Sequence, residues 1–261
     1  MINSLAKVFC VAKDETDLME DWIRYHGSLV GLENLVILDN TSSCETVLAV
    51  YRKYRKRGVI VERCESFHGS QQGEAFTSSM LRHQKSCKFL IGIDADEFIT
   101  FPDFLAGKRE QDMQKKLRDY LLRLPEDTTK FGILTYFEAV PDPNSSFYVN
   151  QKILDPVRNM TTFRRCAARP SKYFFRASSF IDTVNGCHNG RVSRGKTKPS
   201  SLCVVHYHST GARRSIERAR AIIAAYGYAD VDASLTTQLR QLSQVSSPFG
   251  SHRVREYGIF L

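Results

Sequence analysis

The chain has no apolar run long enough to span a bilayer, and its opening, Met1-Ile-Asn-Ser-Leu-Ala-Lys7, does not read as a secretory signal. It has no Cys-x-x-Cys pair, and its seven cysteines are an odd number scattered along the sequence. A zinc ribbon and a fully paired disulfide framework are therefore not expected; free thiols in a reducing, cytoplasmic setting are. Asn-x-Ser/Thr triplets at Asn40, Asn144 and Asn159 carry no meaning without secretion. No internal repeat is visible, and no linker marks off a second independent domain. The composition, 42% hydrophobic and 25% charged, is that of an ordinary globular protein and argues against disorder. With 261 residues the chain can bury a full core as one domain.

Charge is unevenly placed. Residues 1–150 hold 19 Lys+Arg against 22 Asp+Glu, net −3, and residues 151–261 hold 18 against 6, net +12, which together give the +9 of the whole chain. An acidic first half facing a basic second half suits a polyanionic ligand held between them. A nucleic acid is the rival partner, but the basic residues are not interleaved with a recognisable recognition motif, so none is expected. A merely solvated basic surface is the plain alternative.

One stretch organises the rest: Phe89-Leu-Ile-Gly-Ile-Asp94-Ala-Asp96-Glu97-Phe98. Its apolar run does not alternate with polar residues, which is the pattern of a strand covered on both faces in a parallel sheet. Such sheets bind ligands beyond the carboxyl ends of their strands, where these carboxylates stand. On an extended chain Asp94 and Asp96 point to the same side and can converge on one object. Close like charges call for a cation between them, and oxygen ligands favour magnesium, calcium or manganese over zinc. Taken alone, the triplet also fits exposed turn residues after a strand.

Upstream, Ala6–Ala12 reads as a first buried strand. A helix capped by Asp14 or Thr16 follows, with Leu18, Trp22, Tyr25 and Leu29 on one face. Leu35–Leu38 forms a second strand ending at Asp39, and a helix starting at Ser42 or Ser43 carries Val47, Leu48, Tyr51 and Tyr54. Val59–Val61 is a third strand, and a helix with Phe76, Met80 and His83 leads to Phe89–Ile93. This alternation predicts an α/β fold with a mainly parallel, twisted sheet flanked by helices and joined by right-handed crossovers. Downstream, the pattern predicts a helix through Met113, Leu117, Tyr120 and Leu124, then a strand over Phe131–Phe137. Residues 138–160 read as an irregular binding loop or lid, with Pro141 and Pro143 inside it. Strand-like runs cover Lys172–Phe180 and Leu202–His208, the latter putting His206 and His208 on one face. An amphipathic helix spans Ile216 to Tyr226.

Several pieces together resemble a nucleotide-sugar glycosyltransferase of the Rossmann-like GT-A fold, in the family-two-like and family-ninety-two-like subgroup. They are Lys13-Asp14-Glu15 after the first strand, Asp21-Trp22 and His26 on the first helix, and Asp39-Asn40-Thr41-Ser42 after the second strand. The others are Asp94-Ala-Asp96-Glu97-Phe98, His188-Asn-Gly190 and His206-Tyr207. The resemblance covers residues 6 to 225, and where relatives carry a tryptophan on the fifth strand this chain has Tyr136-Phe-Glu138.

The resemblance implies one GT-A domain over 1–261: a nucleotide-binding half (1–100), an acceptor-side and metal-completing half (101–230) and a tail (231–261). It implies transfer of a sugar from a UDP-sugar to a hydroxyl of a glycan or glycoconjugate, with inversion and with Mn2+ or Mg2+ as cofactor. Lys13, Glu15, Asp39 and Asp94 would contact the donor, and Asp96, His206 and His208 would serve the metal. For the base that deprotonates the acceptor, Asp182, His188 and Glu138 all stand in suitable loops, with Asp182 preferred. Lys13 and Glu15 equally fit a solvated helix start, and Trp22 fits the core. A sugar nucleotidyltransferase is the nearest alternative, although the first loop, Val11–Glu15, has no glycine. A non-catalytic basic domain that binds phosphate or nucleic acid is the other.

Overall fold

The computed structural model describes residues 4–64, 71–105, 110–139, 163–166 and 171–207. Its elements are β1 (Ser4–Ala12), α1 (Met19–Val30), β2 (Leu35–Asp39), α2 (Glu45–Arg55), β3 (Ile60–Arg63), α3 (Gln72–His83), β4 (Cys87–Gly92) and β5 (Glu97–Thr100). They continue with α4 (Glu110–Arg123), β6 (Thr128–Ile133), β7 (Thr135–Ala139), β8 (Phe163–Cys166), β9 (Lys172–Arg176), β10 (Phe180–Thr183), β11 (Gly190–Val192), β12 (Lys196–Pro199) and β13 (Cys203–His206). These fall in one compact unit, Met1–Ala139 with Lys152–Tyr207; a second, Val140–Gln151 with His208–Leu261, lies outside the described residues. With it lie His208, the helix predicted for Ile216–Tyr226 and nearly all of the 138–160 loop.

The central sheet runs β12-β6-β9-β4-β1-β2-β3. β1 is parallel to both β2 and β4, and β2 to β3, as the alternation predicted. β9 alone in this sheet runs against its neighbours, pairing antiparallel with β4 and β6. Both faces are covered. Ala6, Val8, Cys10 and Ala12 pack with α1, α2 and α4 through Trp22, Tyr51 and Leu117, while Phe9 packs on the other face with Phe76 and Met80 of α3. The continuous apolar strands exist because neither face meets water.

Three departures from the expected elements bear on the site. The run 131–137 is two strands, because the chain leaves the central sheet at the exposed Leu134 and enters a second sheet, β5-β13-β7-β8. The run 172–180 is also two, separated by a turn over Ala177–Ser179. The third is β5, immediately after the carboxylates, which sequence patterning did not mark. It pairs antiparallel with β13 and so carries the carboxylate turn from one sheet to the other.

Helix starts differ as well. Asp14 does not cap α1; its Oδ1 accepts from the Ser43 and Cys44 amides at 2.8 and 2.7 Å, so it caps α2 from the neighbouring loop. Glu15 takes the α1 role, with Oε1 accepting from Leu18 N at 3.2 Å. Neither Ser42 nor Ser43 caps α2, whose N-cap residue is Cys44, with no cap bond from its own side chain.

Candidate active site

The carboxyl ends of β1, β2 and β4 lie side by side, and the loops leaving them hold unusual backbone. Asp14, Thr41 and Cys187 adopt φ of 49°, 57° and 55°, a left-handed region that non-glycine side chains disfavour, Thr most of all. Asp14 and Thr41 follow β1 and β2. Cys187 lies over the end of β4, where a Cβ on Gly92 would strike its sulfur. Strain of this kind costs about 1–3 kcal/mol per residue and concentrates where loops are held for a purpose.

Asp39 ends β2 and is 3% exposed. Its Oδ1 accepts from Ser42 N at 2.9 Å, and Oδ2 lies 3.8 Å from the Arg63 guanidinium. Lys13 is exposed in the loop after β1, and Glu15 is occupied with the start of α1.

After β4 the chain does not stay extended. Asp94 to Glu97 form a turn closed by Glu97 N donating to Asp94 O at 3.1 Å. The expected convergence of Asp94 and Asp96 on one object is replaced by a division of partners. Asp94 Oδ2 lies 2.8 Å from Lys172 Nζ, and Asp94 Oδ1 accepts from Gln72 Nε2 at 3.0 Å. Glu97 Oε2 lies 2.5 Å from the same lysine and accepts from Asp94 N at 2.9 Å. Asp96 instead faces His206, with Oδ2 and Nε2 2.9 Å apart.

Lys172 is fully buried. Burial pulls its pKa down, but Asp94 and Glu97 more than offset this and hold it above the usual lysine value. Burial pushes Asp94 up, and Lys172 reverses that to a net lowering. For Glu97 burial outweighs the pull of Lys172, and its pKa lies above the usual range. Sequence reading missed Lys172 because it took residues 172–180 for one more strand without fixing its direction. An antiparallel β9 delivers its first residue, not its last, to the carboxyl end of β4.

The second sheet supplies the histidine. In register, Glu97 of β5, His206 of β13 and Glu138 of β7 stand side by side on one face. His188 joins from the loop over β4, close enough to Asp94 for a charged imidazole there to lower that carboxylate's pKa. The His188 ring nitrogen Nδ1 lies 3.2 Å from Ser171 O. With Nδ1–H donated to that carbonyl, Nε2 is the proton-accepting nitrogen. Gln72 ties this loop to Asp94, since its Oε1 accepts from Gly186 N at 2.9 Å. Asp182 is held elsewhere, by Arg191 on the β10–β11 hairpin, with Nε 2.7 Å from Oδ2. His26 is a core residue: Nδ1 donates to Trp22 O at 3.0 Å, the ring stacks on Phe98, and burial lowers its pKa to about 3.

Among the described residues no three His, Cys, Asp or Glu side chains converge as a ready ion site. Asp94 and Glu97 are committed to Lys172. Asp96 and His206 meet at hydrogen-bond distance, 2.9 Å, which is also the spacing of adjacent ligands on a metal with bonds of about 2.1 Å, so these are the residues that could hold a divalent ion. The other coordination positions would have to come from outside this pair.

A family model described as Glycosyltransferase family 92 matches residues 8–244. Among curated proteins no significant relative is found. Among solved structures, S. aureus TarS 1–349 in complex with UDP-GlcNAc is similar at 12% identity and TM-score 0.43, covering 97% of this chain and 79% of that one. Glucosyl-3-phosphoglycerate synthase from Mycobacterium tuberculosis, in complex with Mn2+, UDP-Glc and phosphoglyceric acid, is similar at 13% identity and TM-score 0.42, covering 87% and 81%. Both likenesses are loose.

Proposed function

The chain belongs to glycosyltransferase family 92 and is a glycosyltransferase, and from that premise we propose that it moves a sugar from a UDP-sugar to a hydroxyl of a glycan or glycoconjugate, with inversion. The observation that carries this reading is the gathering of Asp39, Asp94 and the Asp96–His206 pair around the carboxyl ends of β2 and β4. A nucleoside diphosphate needs those groups in that order: an acceptor for base or ribose, then charge control at the diphosphate.

In this reading Asp39, already braced by Ser42 N and Arg63, accepts a hydrogen bond from the nucleoside. Asp94, with a side chain 29% exposed, accepts from the ribose while Lys172 holds it ionised. Asp96 and His206 would hold Mn2+ or Mg2+, which when bound supplies positive charge to the departing diphosphate. His188 is the favoured base. Its Nε2 takes the proton of the acceptor hydroxyl as the acceptor oxygen bonds to the anomeric carbon and the bond to the diphosphate oxygen breaks. Glu138 stands one strand from His206 as the second candidate. Asp182, engaged by Arg191 on an exposed hairpin, is the least favoured of the three.

The direct test is calorimetric titration of the full chain with UDP in the presence and absence of Mn2+, followed by UDP release from a panel of UDP-sugars. Binding of UDP strengthened by Mn2+ supports the reading. No binding of UDP under either condition overturns it.

A further inference from the structure

We infer that Lys172 is a positioning residue of the donor site, tying Asp94 to Glu97 so that Asp94 meets the nucleotide in one fixed orientation. The inference rests on the donor reading above. Lys172 is fully buried and begins β9, whose next residues, Tyr173, Phe174 and Phe175, pack as a β-strand should. Only the reversed direction of β9 brings its ammonium beneath the Asp94–Glu97 turn.

The contacts there are closed on themselves. Lys172 Nζ reaches Asp94 Oδ2 at 2.8 Å and Glu97 Oε2 at 2.5 Å, and the same Glu97 oxygen accepts from Asp94 N at 2.9 Å. The main chain and the side chain of Asp94 are thus held by one lysine–glutamate unit, while Gln72 fixes the remaining oxygen, Oδ1. Glu97 is 4% exposed and Asp94 29%, so the unit has a buried underside and one carboxylate that opens outward. Stability alone does not call for such a triad. Well-packed apolar side chains of the same volume commonly serve at least as well, whereas removing one charge from the set is costly.

Those two roles separate in a double variant. Lys172→Met strands two carboxylates together in the interior; adding Glu97→Gln removes the buried one, and the remaining charge on Asp94 is partly solvated, so the double variant folds. Melting temperature and UDP affinity in the presence of Mn2+ are measured for wild type, Lys172→Met and Lys172→Met/Glu97→Gln. The expected result is a melting temperature lowered in the single variant and regained in the double. UDP binding should stay weakened in both by about tenfold or more, the loss of one charge-assisted contact. Wild-type affinity in either variant overturns the inference and leaves Lys172 a structural countercharge. Wild-type protein that fails to bind UDP at all overturns the donor reading, and this inference with it.

Discussion

The Asp94–Glu97 turn takes its partners from two different sheets. Asp94 and Glu97 share Lys172, carried in by β9 of the central sheet, whereas Asp96 faces His206, carried in by β13 of the second sheet. A lysine held between two carboxylates stays protonated and cannot ligate a metal. An imidazole beside a carboxylate can bind a metal and a proton alike. One short turn therefore sorts three acidic residues into a pair with a built-in countercharge and a single carboxylate that faces an imidazole, the pair to which the proposed function gives the metal. A run of carboxylates in a sequence is thus not a ligand count; what matters is how many are already neutralised by the chain itself.

Asp96→Asn should break this comparison most severely, because it keeps the shape of the side chain and removes the charge on the imidazole side, where the proposed function puts the metal. Transfer should fall by about a hundredfold or more, the scale of losing a principal electrostatic group in a transition state. His206→Ala should raise the Mn2+ concentration needed for half-maximal activity. Normal turnover by Asp96→Asn, measured as UDP release, would show that the two sides do not differ in the way described.

Lys172→Met tests the fixed side. Removing one member of a fully buried charged set should cost about 3–5 kcal/mol of unfolding free energy, read from urea denaturation. Lys53, paired with Glu20 on the exposed surface of α2, serves as the control, and Lys53→Met should leave the denaturation midpoint unchanged. Equal effects at the two lysines would mean that the Asp94–Lys172–Glu97 set is solvated in solution.

Residues 6–93 were legible because each crossover returned the chain in the same direction, so apolar strands and one-faced helices such as α1 and α3 were enough to mark β1, β2, β3 and β4 as neighbouring, mainly parallel strands. The Asp94–Glu97 turn was legible as acidic but not as divided, since the division depends on β5 and β13 meeting from distant parts of the chain. Local pattern carries no strand direction, so Lys172 looked like any residue at the start of an aromatic strand. The break at Leu134 was hidden for a related reason: residues on either side are equally strand-like and differ only in which sheet accepts them. Asp14 capping α2 rather than α1 is the same lesson at short range, because a carboxylate serves whichever orphan amides tertiary packing brings to it.

Asp39, proposed above to meet the nucleoside, extends the comparison to a carboxylate braced by an amide and an arginine instead of a lysine or histidine. Asp39→Ala should weaken UDP binding by about 1–3 kcal/mol, the usual cost of a lost hydrogen bond to a charged group, with little effect on the Mn2+ requirement. Calorimetry with UDP separates the two quantities. An unchanged UDP affinity would remove Asp39 from the donor site.

The smallest effect at neutral pH is expected at His26, a histidine buried in the core. His26 is enclosed by Trp22, Tyr25 and Phe98, and burial lowers its pKa from 6.5 to about 3. In the unfolded chain the same ring takes up a proton near pH 6.5. Between those values the unfolded state binds more protons than the folded one, so stability rises with pH across that window. His26 thus contributes stability fully above about pH 6.5, and that stability is lost as pH falls towards about 3. Urea denaturation at several pH values should show this slope in the wild type and a shallower one in His26→Gln, whose amide has the size of the ring's polar edge but does not titrate. A His26→Gln curve parallel to the wild type would mean that His26 is protonated within the fold, and that apolar burial does not hold it neutral.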